Sequence, residues 1–278
     1  MMGLGRKTGL AFRQVGPGAA TPVLFFHGFL GSGRDWLPVA ERLAGPYTCY
    51  LVDLPGHGGS AYQFPRHFTL AGFSELLAGW VKEQGWSQVF LVGYSMGGRL
   101  ALYFTCRYPE LVAGTVAESA SPGLAGLQER RERARQDGRW AKQLVQDGLS
   151  TFLHRWYRQP VFQGIEKRLF FGLMIRRRLQ NNPRELARAL SLMGLARQPD
   201  LRSCLQETKI PLLLVTGQND TKFQTLAREL VAANRAIRWV NIPGCGHNTH
   251  VENPARFARI VAAFFASVEQ ERARLNRP

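Results

Sequence analysis

Hydrophobic residues in this chain recur in short, β-rich, mainly apolar runs separated by longer stretches of mixed polarity. The runs are VLFF (23–26), TCYLV (48–52), VFLV (89–92), LVAGTV (111–116), PLLLV (211–215) and IRWVNI (237–242). None is long enough for a helix of its own, and apolar runs of this length predict strands covered on both faces. Between most of them the apolar positions recur every three or four residues, as in FSELLAGWVKEQ, GRLALYFTCRY, TLARELVAA and FARIVAAFFASVE, which predicts amphipathic helices. Buried strands alternating with such helices predict an α/β chain whose mainly parallel sheet is flanked by helices. LAFRQVG near the start is a candidate edge strand, and EQERARLNRP at the end reads as a frayed, charged tail.

The alternation breaks after residue 121. From Pro122 to about Gln206 helical periods, aromatics and turn residues continue without a strand run. This segment, 122–206, is expected to be a helical cap inserted between two strands, with 1–121 and 207–278 forming the core. At 278 residues, 45% of them hydrophobic, the chain has enough material for one large core. No run approaches the roughly 18 apolar residues that span a bilayer, and the N-terminus lacks a signal-peptide stretch. A cytoplasmic protein without membrane insertion, monomeric or a weak homo-oligomer, is the expectation.

Cys49, Cys106, Cys204 and Cys245 show no CxxC spacing, so they are expected to be structural thiols, with neither a disulfide framework nor a metal site. No cofactor motif is evident: the glycine-rich turn DLPGHGGS (53–60) lacks the spacing of a phosphate-binding loop, and Asp53 is expected to shape its backbone. A net charge of +16 raises the question of nucleic acid or membrane partners. No helix-turn-helix, RNA-recognition or zinc-finger pattern supports a nucleic-acid partner, and compositional bias alone can enrich arginine. The charge is concentrated: residues 122–206 hold 17 of the 36 Lys and Arg against 7 of the 20 Asp and Glu.

Chemistry enters with Gly93-Tyr94-Ser95-Met96-Gly97, a G-x-S-x-G sequence after a predicted strand and before a predicted helix. There a strand must reverse sharply into a helix and lift a serine hydroxyl above the sheet. Asp220 and His247 each follow a later strand, in the chain order of an α/β-hydrolase triad. In such a triad His247 takes the serine proton and Asp220 orients and stabilises the imidazole. The bland alternatives are a helix-capping Asp220 and a turn histidine at 247. FFHGFLGSGRDW follows the first core strand, so the backbone N–H groups of Phe29 and Met96 are candidate oxyanion donors. His27 is expected to buttress that loop, while His57 and His250 are expected to support the site or face solvent. Arg99, one helical turn beyond Ser95, is either a cation at the pocket mouth or part of a surface ion pair.

The sequences LVGYSMGGR, VDLPGHGGS, ESASPGL, WYRQPVF, GQNDTKF and GCGHNTHVENP together resemble the 2-succinyl-6-hydroxy-2,4-cyclohexadiene-1-carboxylate synthase (MenH) family of menaquinone biosynthesis. The likeness runs from about residue 22 to residue 265 and includes the cap; the first twenty or so residues do not match. It implies an α/β-hydrolase fold and a lyase that removes a proton alpha to a carbonyl and expels pyruvate, using Ser95, His247 and Asp220 with the Phe29 and Met96 oxyanion hole and no cofactor. It implies further that Arg99, Arg133 and Arg178 clamp the carboxylates of a small tricarboxylate substrate, and that Tyr94, Trp156 and Phe162 surround its ring; for Trp156, packing in the cap is the competing role. Burying three carboxylates requires cations, and arginine's planar fork suits them better than lysine. The competing readings are a serine hydrolase, either a carboxylesterase or a carbon–carbon bond hydrolase, acting on an acidic substrate, and a binding module on a hydrolase scaffold.

Overall fold

A computed structural model of the chain describes residues 2–4, 9–60 and 65–275. Its strands are β1 (Met2–Leu4), β2 (Ala11–Val15), β3 (Thr21–Phe26), β4 (Tyr47–Val52), β5 (Val89–Tyr94), β6 (Val112–Glu118), β7 (Leu212–Gly217) and β8 (Ile237–Ile242). They form one sheet in the order β1-β2-β4-β3-β5-β6-β7-β8. From β4 to β8 every neighbouring pair is parallel, and β1 and β2 add an antiparallel edge. LAFRQVG therefore supplies a strand one place inside the edge, because Met2–Leu4 pairs outside it.

The helices of the core are α1 (Leu37–Leu43), α2 (Leu70–Glu83) and α3 (Met96–Arg107), followed later by α9 (Thr221–Ala233), α10 (Thr249–Glu252) and α11 (Pro254–Leu275). Side chains along β3 show why its run carries no polar position. Leu24 and Phe26 pack with Phe73 and Leu77 of α2 and with Leu100 and Phe104 of α3. Val23 and Phe25 point the other way, against Val39 of α1 and Val261 and Phe265 of α11. Successive strand residues face opposite sides, so a strand with helices on both sides is apolar throughout. The expected charged tail is largely helical: α11 continues to Leu275, with Glu271 paired to Arg238 of β8 at 2.8 Å. The last three residues lie outside the described ones.

Between β6 and β7 stand α4 (Leu127–Gln146), α5 (Leu149–Trp156), α6 (Phe171–Arg178), α7 (Pro183–Met193) and α8 (Arg202–Glu207). Leu144, Phe152, Leu153, Met174 and Leu186 make a small apolar core that also holds Leu30 from the loop after β3. Polar ties add to it: Arg178 pairs with Asp35 at 2.7 Å, Arg168 with Glu252 at 3.1 Å, and the Asn181 amide donates to the Leu30 carbonyl at 2.9 Å.

The cysteine expectation is corrected. Cys106, near the end of α3, and Cys204, in α8, form a disulfide across a sequence separation of 98 residues, while Cys49 and Cys245 are free and buried. Spacing along the chain carries no sign of such a pair, because only the fold brings the end of α3 beside the returning helix. Among the described residues no helix is long and apolar enough to cross a membrane, and no group of His, Cys, Asp and Glu could hold a metal ion.

Candidate active site

Ser95 sits between β5 and α3 with φ 50° and ψ −105°, a strained conformation rare for a residue with a side chain. Two glycines make the turn possible. A Cβ at Gly97 would overlap the Phe26 carbonyl oxygen, and one at Gly93 would overlap the Gly97 carbonyl oxygen. The chain passes too close to itself here for any side chain, and the Ser95 N–H is held by the Glu118 carbonyl at 2.9 Å. The hydroxyl is thereby fixed at the C-terminal end of the sheet.

His247 lies in the loop between β8 and α10, its Nε2 3.4 Å from Ser95 Oγ and its Nδ1 2.9 Å from Asp220 Oδ2. The first contact is loose, as such bonds often are without substrate. Asp220 stands at the N-terminus of α9, yet its side chain makes no capping bond. The carboxylate instead accepts from His247 and, at 2.7 Å, from the hydroxyl of Ser119, so the capping alternative is excluded. Ser119, at φ 46° just beyond β6, escapes sequence reasoning because a lone serine after a strand carries no pattern. Glu118 escapes it too. Fully buried, its carboxylate accepts from the Thr249 hydroxyl at 2.7 Å, from the His250 N–H at 3.1 Å and from His250 Nδ1 at 2.7 Å, and it ties the segment after His247 to the end of β6. His250 is buried and stacked on Trp36, with ring centroids 3.9 Å apart, and does not face solvent.

The Phe29 and Met96 N–H groups donate to no acceptor among the described residues, which leaves both available to an incoming oxygen. Two histidines hold the Phe29 loop. His27 Nε2 accepts from the Leu54 N–H at 2.9 Å and its Nδ1 donates to the Gly28 carbonyl at 2.7 Å. His57 Nε2 accepts from the Leu30 N–H at 3.1 Å while its Nδ1 donates to the Pro55 carbonyl at 2.8 Å. Burial pushes their pKa values down to about 4 and about 3, so both are neutral and free to accept. Asp53 shapes the turn as expected, accepting from the N–H groups of Gly33 and Gly59 at 2.7 and 2.8 Å.

Two cavities, of about 100 and 560 Å³, meet at Ser95 and share Arg133, Trp156, Lys222 and Phe223 in their walls. A larger hollow of about 690 Å³ lies beside α5 and α6, but no triad or oxyanion residue lines it. Arg99 lines the inner cavity. Its guanidinium is buried and donates only to neutral acceptors, Gln198 Oε1 at 3.1 Å and the Met193 carbonyl at 2.9 Å. Burial, with the charge of nearby Arg133, lowers its pKa to about 9 while Asp137 opposes the shift; it remains a cation at neutral pH. Arg133 lines both cavities and is steadied by Asp137 through Nε at 2.7 Å. Trp156 lies 5.1 Å from the Phe29 ring and stacks at 5.5 Å on Phe152, so it both packs the insertion and walls the cleft. Phe162 lines the outer cavity, 5.7 Å from the His247 ring.

Two expected residues lie elsewhere. Tyr94 is buried beneath the site, against Gly28 and 5.3 Å from the His247 ring, and lines neither cavity. Arg178 is also absent from both walls. It is buried at 4% exposure, its Nη2 pairs with Asp35 at 2.7 Å and its Nε donates to the Tyr157 hydroxyl at 3.2 Å. An arginine run shows three equivalent cations in sequence, and only the fold shows that Arg178 pairs closely with Asp35 while Arg177 stands 3.8 Å from the same carboxylate.

The chain matches a family model described as the alpha/beta hydrolase fold over residues 21–254. It is 40% identical over 242 residues to the 2-succinyl-6-hydroxy-2,4-cyclohexadiene-1-carboxylate synthase of Salmonella schwarzengrund, covering 86% of this chain and 91% of that one. The structure of MenH from S. aureus superposes with a TM-score of 0.88 at 27% identity, over 93% of this chain and 98% of that one. An esterase from Thermogutta terrifontis, 24% identical with a TM-score of 0.78 over 93% of each chain, shares the fold. The chain therefore belongs to the α/β-hydrolase fold family and, within it, to the 2-succinyl-6-hydroxy-2,4-cyclohexadiene-1-carboxylate synthases.

Proposed function

We propose that Ser95, His247 and Asp220 run an elimination on this fold, releasing pyruvate from 2-succinyl-5-enolpyruvyl-6-hydroxy-3-cyclohexene-1-carboxylate and leaving 2-succinyl-6-hydroxy-2,4-cyclohexadiene-1-carboxylate. The two names fix the bonds that change. The proton on C2, alpha to the succinyl carbonyl, is removed and its electron pair becomes the C2–C3 double bond. The C3–C4 pair shifts to C4–C5, and the C5–O bond breaks with its electrons leaving on enolpyruvate, which takes up a proton as pyruvate. No water is consumed.

A free serine alkoxide is too basic to exist at neutral pH, so Ser95 takes the C2 proton as its own passes to His247 Nε2. Asp220 holds the imidazole tautomer and stabilises the imidazolium, with Ser119 fixing the carboxylate. Enolate charge gathers on the succinyl oxygen, where the Phe29 and Met96 N–H groups meet it. Residues 122–206 act as the cap that contributes Arg133, Trp156 and Phe162 over the cleft. The observation that carries the reading is Arg99: a buried cation with no acidic partner, one turn from the base, is electrostatically incomplete until an anion arrives.

The test is pyruvate release from the named substrate, followed with a coupled dehydrogenase. The wild-type chain is expected to release one pyruvate per substrate, and Ser95→Ala to lower the rate by at least about 10³-fold, leaving the help of binding and the oxyanion hole. A wild-type chain that hydrolyses esters briskly and releases no pyruvate would favour the hydrolase reading instead.

A further inference from the structure

The proposed reaction binds three carboxylates and lets one depart. Three cations line the two cavities that meet at Ser95: Arg99, Arg133 and Lys222. They differ in how they are held. Arg99 is buried and fixed by two hydrogen bonds, and Arg133 is tied to Asp137. Lys222, in the first turn of α9 and two residues beyond Asp220, is exposed, with its Nζ over the Phe223 ring 5.9 Å from the centroid. No carboxylate among the described residues pairs with it.

We infer that Lys222 holds the carboxylate of the enolpyruvyl group, the one that leaves, an assignment that rests on the elimination reading above. The leaving group is attached to C5, across the six-membered ring from C2. With C2 at Ser95 Oγ, that carboxylate lies on the side of the ring away from the base, and Lys222 stands in the wall of both cavities that meet at Ser95. An ammonium on a flexible stem grips a carboxylate as a hydrated point charge, without the fixed fork of arginine. Solvent at its position weakens the grip further, which suits a group that must be released. The two arginines, each locked in place, suit the carboxylates that stay on the ring. Lys222 also accounts for the third cation that the reaction needs, since Arg178 is committed to Asp35.

The experiment compares the wild-type chain with Lys222→Ala and Lys222→Arg in three measurements: kcat and KM for pyruvate release, the inhibition constant of added pyruvate, and the calorimetric affinity for the dicarboxylate ring product. Lys222→Ala is expected to raise KM and to weaken pyruvate inhibition, each about five- to tenfold, while product affinity stays within about twofold; Lys222→Arg restores KM. An unchanged KM in Lys222→Ala, or product affinity falling in step with KM, overturns the assignment. Absence of pyruvate release by the wild-type chain itself overturns the elimination, an outcome separate from any behaviour of the variants.

Discussion

Arg99 and Arg178 are buried to similar degrees, 8% and 4% exposed, and one faces neutral acceptors while the other faces a carboxylate. That difference decides which can meet a substrate anion, and it is invisible in the sequence, where both are arginines in favourable places. The triad was legible because strand, turn and chain order jointly constrain Ser95, Asp220 and His247. Ser119, Glu118, Gln198 and Asp137 were not, because each acts through a contact between distant segments and none belongs to a spacing pattern. His27 and His57 lead to a prediction. Their folded pKa values, about 4 and about 3, lie below the ordinary histidine value of 6.5. The unfolded chain therefore binds more protons there, so the stability these residues contribute is fully present above pH 6.5 and drains away as pH falls toward 4. The loss is on the order of 3 kcal/mol for each residue. Urea unfolding at pH 7, 5.5 and 4.5 is expected to show that decline, and His57→Gln, which keeps an acceptor for the Leu30 N–H, is expected to flatten it. Identical slopes for the two proteins would dismiss His57 as a source.

At the level of elements, β3, β5 and β7 were readable because strands covered on both sides are almost wholly apolar, while β8, at the sheet edge, keeps a β-branched and aromatic run around the exposed Arg238 and Asn241; all four runs became strands within a residue or two. The outer strand β1 was not, since three residues paired on one side leave little hydrophobic signal. The contact of α6 with the turn before α1 could not be read either, although much depends on it. Burial raises the pKa of Asp35, but Arg178 outweighs it and holds the carboxyl below its usual value, and Tyr157 completes the group. Removing one partner of such a pair strands a buried charge, so Asp35→Asn is expected to cost about 3–5 kcal/mol in denaturant unfolding. Asp35→Asn combined with Arg178→Met should recover much of that loss. If the single variant matches wild type, the pair contributes nothing to holding α6 on the core.

Over the whole molecule the net charge is +16. Under the elimination proposed above, a substrate with three carboxylates would be drawn toward this basic chain by a field that salt screens beyond about 10 Å at 0.1 M. Raising ionic strength from 20 mM to 0.5 M is expected to reduce kcat/KM about tenfold and to leave kcat nearly constant; an equal fall in both would move the effect from encounter to chemistry. The bond between Cys106 and Cys204 has its own consequence at this scale. It ties the chain on either side of α4 to α7, so those helices hang from a covalently closed ring. A protease that nicks the peptide anywhere within that ring yields two pieces that still travel as one molecule, and they part company only when a thiol reductant opens the bridge.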